Sequence, residues 1–416
     1  MGVCILTEYA GKTLLFVGGG MEALPGIEKA RDLGLHVVVS DMNPQAPGLQ
    51  AADGRLIAST YDVEDTLAEA RRYNREVRPI DGVMCLATDV PLTVAAVAAD
   101  LGLPGIPVEV AARAMDKLAM KEKFATDGVS IPWFSAVESA EHLQTLVKER
   151  GLPLVLKPVD SRGGRGVQRL TPEVNLVSAY ERAIVQSPGG RVMVEQYLPG
   201  PQISTESIVL DGICHTPGFA DRNYEFIDRY APHFIENGGT MPSFLPGEAR
   251  ESVRDLVQKA ATSLGVTRGV VKGDMVLSDG KPYVIELAAR LSGGWFCTHE
   301  IPLNVGVDLV LAMIRLSLGL SVEEKALQPQ FEQGVALRLI FPEPGRVIAI
   351  EGENTARALP GIAMVRLTVN PGDIVRLPTD SNASAGLVIA VADNREEAIR
   401  RAEKAVNAII VKTEGL

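Results

Sequence analysis

Residues 269–294 read GVVKGDMVLSDGKPYVIELAARLSGG, two alternating apolar stretches on either side of Asp279-Gly280. Asp-Gly between such stretches predicts a β-hairpin. Side chains two apart in a strand share a face, so Lys272 and Asp274 point one way on the first strand, while Glu286, Ala288 and Arg290 align on the second. Two acids and two bases then gather on one hairpin. A three-residue loop, 279–281, places Asp274 opposite Glu286, whereas a two-residue loop slips the pairing by one and sends them to opposite faces. Facing carboxylates repel unless a cation separates them, and hard oxygen ligands flanked by bases suit Mg²⁺ holding phosphate oxygens. The stretch reads either as a magnesium–nucleotide site or as an ordinary hairpin with a charged face, and the rest of the chain has to decide.

The chain has 416 residues, room for roughly two to four domains. With 46% hydrophobic and 22% charged residues its composition is that of a globular protein in water. A net charge of −11 without a basic cluster argues against a nucleic-acid partner. Cys4, Cys85, Cys214 and Cys297 are scattered, which argues against a zinc ribbon or a disulfide framework and fits a reducing cytoplasm. The N-terminus carries no secretory succession, and Leu6 stands where myristoylation needs Ser or Thr. The apolar stretch 307–322 contains Asp308 and Arg315 and is too short to span a bilayer, so it predicts a buried helix and no membrane partner.

Residues 13–112 alternate apolar runs with helical patterns, the βαβ succession of a parallel sheet. Gly18 to Ala23 satisfy G-x-G-x-x-A, with Asp41 near the place of a ribose-binding acid, so a dinucleotide is a weaker alternative there. Gly11-Lys12-Thr13 imitates a P-loop, but Leu6 replaces the required glycine and the strand follows instead of preceding. From residue 113 the character changes. Met115-Asp116-Lys117 opens a helix containing Lys121, and PLVLKPV, 153–159, is a strand with Lys157 inside it. That lysine either snorkels from an edge or aims at an anion. The following Asp160-Ser161-Arg162-Gly163-Gly164-Arg165-Gly166 favours the anion, because glycines let successive backbone N–H groups fold over phosphates. Strands follow over 191–198 and 202–210, and Glu195 to Leu198 can edge an adenine.

In this order, Met115-Asp116-Lys117, Lys157-Pro158 with SRGGRG, Glu195-Gln196-Tyr197-Leu198, the run Gly200-x-Gln202-x-Ser204-x-Glu206 and the hairpin from Asp274 to Arg290 resemble the ATP-grasp superfamily, over about 113–320. The flanks resemble the carboxylate–amine ligase branch that includes biotin carboxylase and the purine-pathway ligases, and EL-AAR-LSGG is most similar to the L-amino-acid ligases. The resemblance implies a multidomain α/β and α+β protein. It comprises a parallel α/β domain over 1–112, an ATP-grasp domain of two α+β lobes over 113–327 with a mobile lid at about 125–193, and a small C-terminal α+β domain over 328–416.

It further implies that Lys117 and Lys157 bind ATP phosphates under a loop containing Ser161, Gly163, Gly164 and Gly166. Glu195, Gln196, Tyr197 and Leu198 would hold adenine, and Gln202 would stand where the family usually has the ribose-binding acid. Asp274 and Glu286 would ligate Mg²⁺, one ion or two, with Mn²⁺ as a substitute. Lys272 would sit near the γ-phosphate and Arg290 would stabilise the transferred group. Ala288 occupies the position where the family often has a third metal ligand. The implied reaction phosphorylates a carboxylate to an acyl phosphate, which an amine attacks, releasing ADP and phosphate. A bicarbonate-using carboxylase and an ATP-binding protein without turnover are the alternatives. Arg222, Tyr224, Glu236, Trp295, Phe296 and His299 are candidates for the acid and amine pockets, since they flank the hairpin or lie in the irregular stretch 221–247. Arg338 is a further candidate from the C-terminal domain. Chains of this branch often form homodimers, though no interface is legible.

Overall fold

The computed structural model describes residues 8–380 and 383–415. Cys4 and Leu6, and with them the myristoylation reading, lie outside the described residues, whereas Gly11-Lys12-Thr13 are described and a strand begins at Thr13. Four short strands, β1 (Thr13–Val17), β2 (His36–Ser40), β3 (Gly54–Leu56) and β4 (Gly82–Met84), pair in parallel in the order β3-β2-β1-β4. Helices Leu24–Asp32, Pro47–Ala51 and Val63–Glu76 connect them, and helix Pro91–Leu101 follows β4. Gly18 and Gly19 of the dinucleotide-like turn answer to packing: Gly18 has φ +106°, and a Cβ there would stand 2.5 Å from Thr88 Oγ1, while one on Gly19 would stand 2.9 Å from Val39 Cγ1. Asp41 accepts the Gly19 N–H at 2.9 Å and so holds the same turn.

A second sheet, β5 (Phe134–Val137), β6 (Leu154–Pro158), β7 (Gln168–Leu170) and β8 (Val192–Gln196), is antiparallel in the order β5-β8-β6-β7. Helices Ala140–Arg150 and Leu176–Val185, capped by Ser139 and Asn175, pack on it around their own core of Leu143, Leu156 and Val194.

The third sheet has eight antiparallel strands. β9 (Gln202–Leu210), β10 (Ile213–Arg222), β11 (Gly239–Met241), β12 (Gly269–Ser278), β13 (Lys281–Ala288) and β14 (Gly334–Ile340) belong to it. After β15 (Gly345–Glu351), β16 (Ile362–Leu367) forms its edge, and after β17 (Ile374–Val375), β18 (Gly386–Ala392) inserts between β14 and β16. The order β13-β12-β9-β10-β11-β14-β18-β16 carries the sheet without a break past residue 328. Pairing β11 with β14 leaves no open edge between the central and C-terminal segments. Helix Arg395–Ala408 lies on β14 and β18 through Ala336, Ala390, Ala398 and Ala402, small residues that permit close approach. Strands β17, β15 and β19 (Ile410–Glu414) form a small third layer.

One core runs through three parts of the chain, joining Phe16 and Leu86 to Ile208, Leu291 and Ile301, and to Val335 and Ile389. The N-terminal sheet and the eight-stranded sheet are thereby one packed body, while the second sheet has a separate core. The mixed α/β and α+β architecture is the one expected. The apolar stretch 307–322 is helical over Leu309–Ser317 only, because Asp308 caps its start at Leu311 N and Arg315 turns its guanidinium to Ser321 O. No described helix is long and apolar enough to cross a membrane.

Candidate active site

The hairpin turn has two residues, with Ser278 opposite Lys281, and Asp279 and Gly280 take φ of 49° and 74°. A regular ladder from that turn would put Asp274 and Glu286 on opposite faces. Instead β13 carries one extra residue at Ile285, and beyond this bulge Asp274 pairs with Glu286 and Lys272 with Ala288. The bulge does what the longer loop was expected to do.

On the other side of β12, Lys272 pairs with Glu206 and Asp274 with Ser204 of β9, while Gln202 pairs with Arg222 of β10. Two cations converge on Asp274: Arg222 Nη1 at 2.7 Å and the ammonium of Lys272. Burial would raise this carboxyl, but the Arg222 and Lys272 charges outweigh it and hold Asp274 well below the usual carboxylate range. Arg222 also binds Glu236 through Nε at 3.1 Å and through Nη2. Lys117 reaches across from the N-terminus of helix Lys117–Thr126, 3.3 Å from Glu286 Oε1 and 2.8 Å from the Ser161 carbonyl. Asp116 caps that helix at Ala119 N, fixing the angle at which Lys117 leaves it.

Lys157 is not an edge residue. Its strand is flanked on both sides and its side chain is 4% exposed, with the ammonium against Glu195. Lys121 lies 2.7 Å from the other oxygen of the same carboxylate. Burial would push Glu195 up, yet the two lysines hold it below its ordinary value, while burial drives Lys121 down to about 8. A buried acid clamped by two cations is stable only while both sides remain. After β6, Gly163, Gly164 and Gly166 take φ of 62°, 74° and 76°, the left-handed backbone that turns successive N–H groups to one side. Arg162 stacks at 4.2 Å over Tyr61 of the N-terminal body, so the glycine loop and that body meet. Gln196 is exposed, and Tyr197 stands with its ring 6.3 Å from Phe234.

Arg290 is fixed from the N-terminal sheet: Asp89, just beyond β4, receives its Nε at 2.5 Å. Burial lowers and the Asp89 charge raises this guanidinium, and the raising prevails. The backbone bridge Leu86–Leu291 and the Gly294 N–H donated to Glu22 at 2.8 Å hold the two segments together. Glu206, fully buried, accepts the Ser292 N–H at 2.6 Å, and burial pushes it up to about 6.

Lys117, Lys272, Asp274, Glu286, Arg222 and Glu236 are thus brought together in one connected set. Trp295 and Phe296 are not part of it: both are buried in the shared core, Trp295 under Arg366 at 5.2 Å. His299 leans edge-on against Trp295 at 5.2 Å and shares a 2.9 Å hydrogen bond with Thr298, and burial lowers its pKa. Lys121, Asp89 and Glu206 carried no role in the sequence reading. Lys121 was visible one helical turn after Lys117, Asp89 at the carboxyl end of a parallel strand, where α/β sheets place ligands, and Glu206 as the third residue of the alternation Gln202, Ser204, Glu206.

Among the described residues no group of three or more His, Cys, Asp or Glu side chains forms a cage for a metal ion. Mg²⁺ does not require one, since it is commonly held by one or two carboxylates plus phosphates and water. Asp274 and Glu286, in register and each already facing a cation, fit that mode.

The ATP-grasp domain family matches residues 114–294, the ATP-grasp N-terminal domain 27–105, and the L-amino acid ligase C-terminal domain 2 residues 338–414. The chain belongs to the ATP-grasp superfamily. Within it, the chain is an ATP-dependent ligase of the carboxylate–amine branch. It is 29% identical over 394 residues to an uncharacterized protein of Sinorhizobium fredii, covering 92% of this chain and 79% of that one. It is 26% identical to dapdiamide A synthase of Enterobacter agglomerans, over 69% of each chain. Its fold superposes on the L-amino acid ligase from Bacillus licheniformis with a TM-score of 0.82 at 22% identity, covering 98% of this chain and 100% of that one.

Proposed function

We propose that the chain joins two amino acids, activating the carboxylate of one as an acyl phosphate with ATP and coupling it to the amine of the other. The in-register pair Asp274 and Glu286 between Lys117 and Lys272 carries this reading. Lys117, Lys157 and the backbone of Ser161, Gly163, Gly164 and Gly166 bind the triphosphate, and Glu195 to Leu198 with Gln202 bind the nucleoside. Asp274 and Glu286 hold Mg²⁺, which when bound neutralises phosphate charge. Lys272 and Arg290 stabilise the transferred group, and Arg222 holds Asp274 in place. Asp89 keeps the Arg290 guanidinium oriented by holding Nε and leaving other N–H donors for the oxyanion.

The segment 125–193, with its separate core, is the lid, and its closure keeps water from the acyl phosphate. Domain limits at 112 and 327, a cytoplasmic location and a homodimer complete the reading. The amino-acid substrates are supported by the L-amino acid ligase family match at 338–414 and by the likeness to that ligase's fold. A screen of ADP release with Mg²⁺, ATP and pairs of amino acids tests it. Release driven by bicarbonate alone would establish the carboxylase alternative instead.

A further inference from the structure

Glu300 ends the short helical turn Phe296–Glu300 that follows the hairpin and is 4% exposed. Its Oε2 is buried and has no hydrogen-bond partner. The charged groups that face it are Glu236 and Arg338. Neither satisfies it. Glu236 is taken by Arg222, and Arg338 directs Nη1 to the carbonyls of Gly239 at 3.1 Å and Leu337 at 2.8 Å while its own Nε stays unpartnered. A buried polar atom without a partner is costly enough to demand a reason.

The position supplies one. Glu300 Oε2 lies 3.5 Å from where a Gly239 Cβ would stand, and Gly239 pairs across the sheet with Arg222. Arg222 in turn bridges Glu236 to Asp274. The free oxygen therefore stands beside the chain of charges that leads to the reacting centre, in space left by a missing side chain. Two neighbouring carboxylates, one of them unsatisfied, form a receptor for a cation that can donate several hydrogen bonds.

We propose that Glu300, with Glu236 beside it, receives the ammonium group of a substrate amino acid and so selects amino acids over carboxylic acids that lack it. This rests on the amino-acid ligase reading above. Burial, and then the charge of Glu236, push the empty Glu300 up to about 8, so it holds its proton in the free enzyme. When the R–NH₃⁺ group arrives, the carboxyl O–H bond breaks, its proton passes to solvent, and an N–H···O⁻ hydrogen bond forms in its place. Nothing is oxidised or reduced.

The test uses the full chain with Mg²⁺ and ATP, and measures ADP release with each proteinogenic L-amino acid singly and in pairs, and with the matching 2-hydroxy acids. For wild type, amino acids drive turnover and the 2-hydroxy acids do so with a much higher KM. In Glu300→Gln the KM for the amino acid rises by roughly tenfold to a hundredfold, the scale of one charge-assisted hydrogen bond. The KM for ATP stays unchanged and the preference over the 2-hydroxy acid collapses. Gly239→Ala, whose Cβ meets only ordinary contacts of 3.4 Å or more, also raises the amino-acid KM by crowding Oε2. Calorimetry of amino-acid binding in buffers of different ionisation heat detects about one proton released by wild type near pH 7 and none by Glu300→Gln. A wild type that turns over amino acids alongside a Glu300→Gln variant with the same KM and preference overturns the assignment alone. A wild type driven only by bicarbonate overturns the ligase reading and this assignment with it.

Discussion

The Glu300 carboxyl releases its proton at the ordinary 4.5 when the chain is unfolded and keeps it to about 8 when folded. Between those values the folded protein binds one proton more, so stability falls as pH rises across that window. Glu300→Gln removes the contribution, and its melting temperature between pH 5 and pH 8 should vary less than that of wild type, as thermal unfolding across buffers would report. Glu195 makes the opposite case, since it is held charged by Lys121 and Lys157. Glu195→Gln strands two buried cations and should cost about 3–5 kcal/mol, the scale measured for a broken buried ion pair. The loss is read as a lower melting temperature even without nucleotide. At this scale the sequence named most of the charged residues but not their partners. Lys157 was legible as a lysine in an apolar strand, whereas Glu195 as its counter-ion depended on β6 and β8 lying side by side. Glu300 gave no signal, because an acid in an irregular turn has no periodicity to betray its burial.

The hairpin β12–β13 places both proposed metal ligands, and its register depends on two local features, the Asp279-Gly280 turn and the bulge at Ile285. Gly280 has φ 74° and a Cβ there would meet nothing within 4 Å, so Gly280→Ala is charged only for backbone conformation. It should cost about 1 kcal/mol of stability, measurable by denaturant unfolding, and leave the KM for ATP in place because the bulge still sets the pairing of Asp274 with Glu286. The strands were legible from alternation and Asp-Gly, and the observed bounds of β9 match the expected 202–210. The bulge was not, since one extra residue in an apolar run leaves the alternation only locally broken. Helix Leu309–Ser317 came out shorter than its apolar run for a similar reason: Asp308 serves as a cap, which hydrophobicity alone does not reveal.

Across the whole molecule, one core ties the N-terminal sheet to the eight-stranded sheet, and the Asp89–Arg290 pair spans that junction. Asp89→Asn should lower kcat by roughly tenfold to a hundredfold, the range for a lost charge-assisted hydrogen bond, with the KM for ATP little changed, because Asp89 orients Arg290 and touches none of the phosphate-binding set. Steady-state kinetics separate the two. The parallel N-terminal sheet was readable from the alternation of apolar runs and helical patterns, and the α+β lobes from the family resemblance, but the continuation of one sheet past residue 328 was not, since pairing between β11 and β14 joins segments distant in sequence. The central claim is that Asp274 and Glu286 hold the metal of a metal–ATP complex in a ligase, and it is tested most directly by Mg²⁺-dependent ADP release in wild type and Glu286→Ala with amino-acid substrates present. The account predicts turnover in wild type and a loss of at least roughly a hundredfold in the variant, as for removal of a group that stabilises transition-state charge. Equal turnover in the two proteins would contradict it.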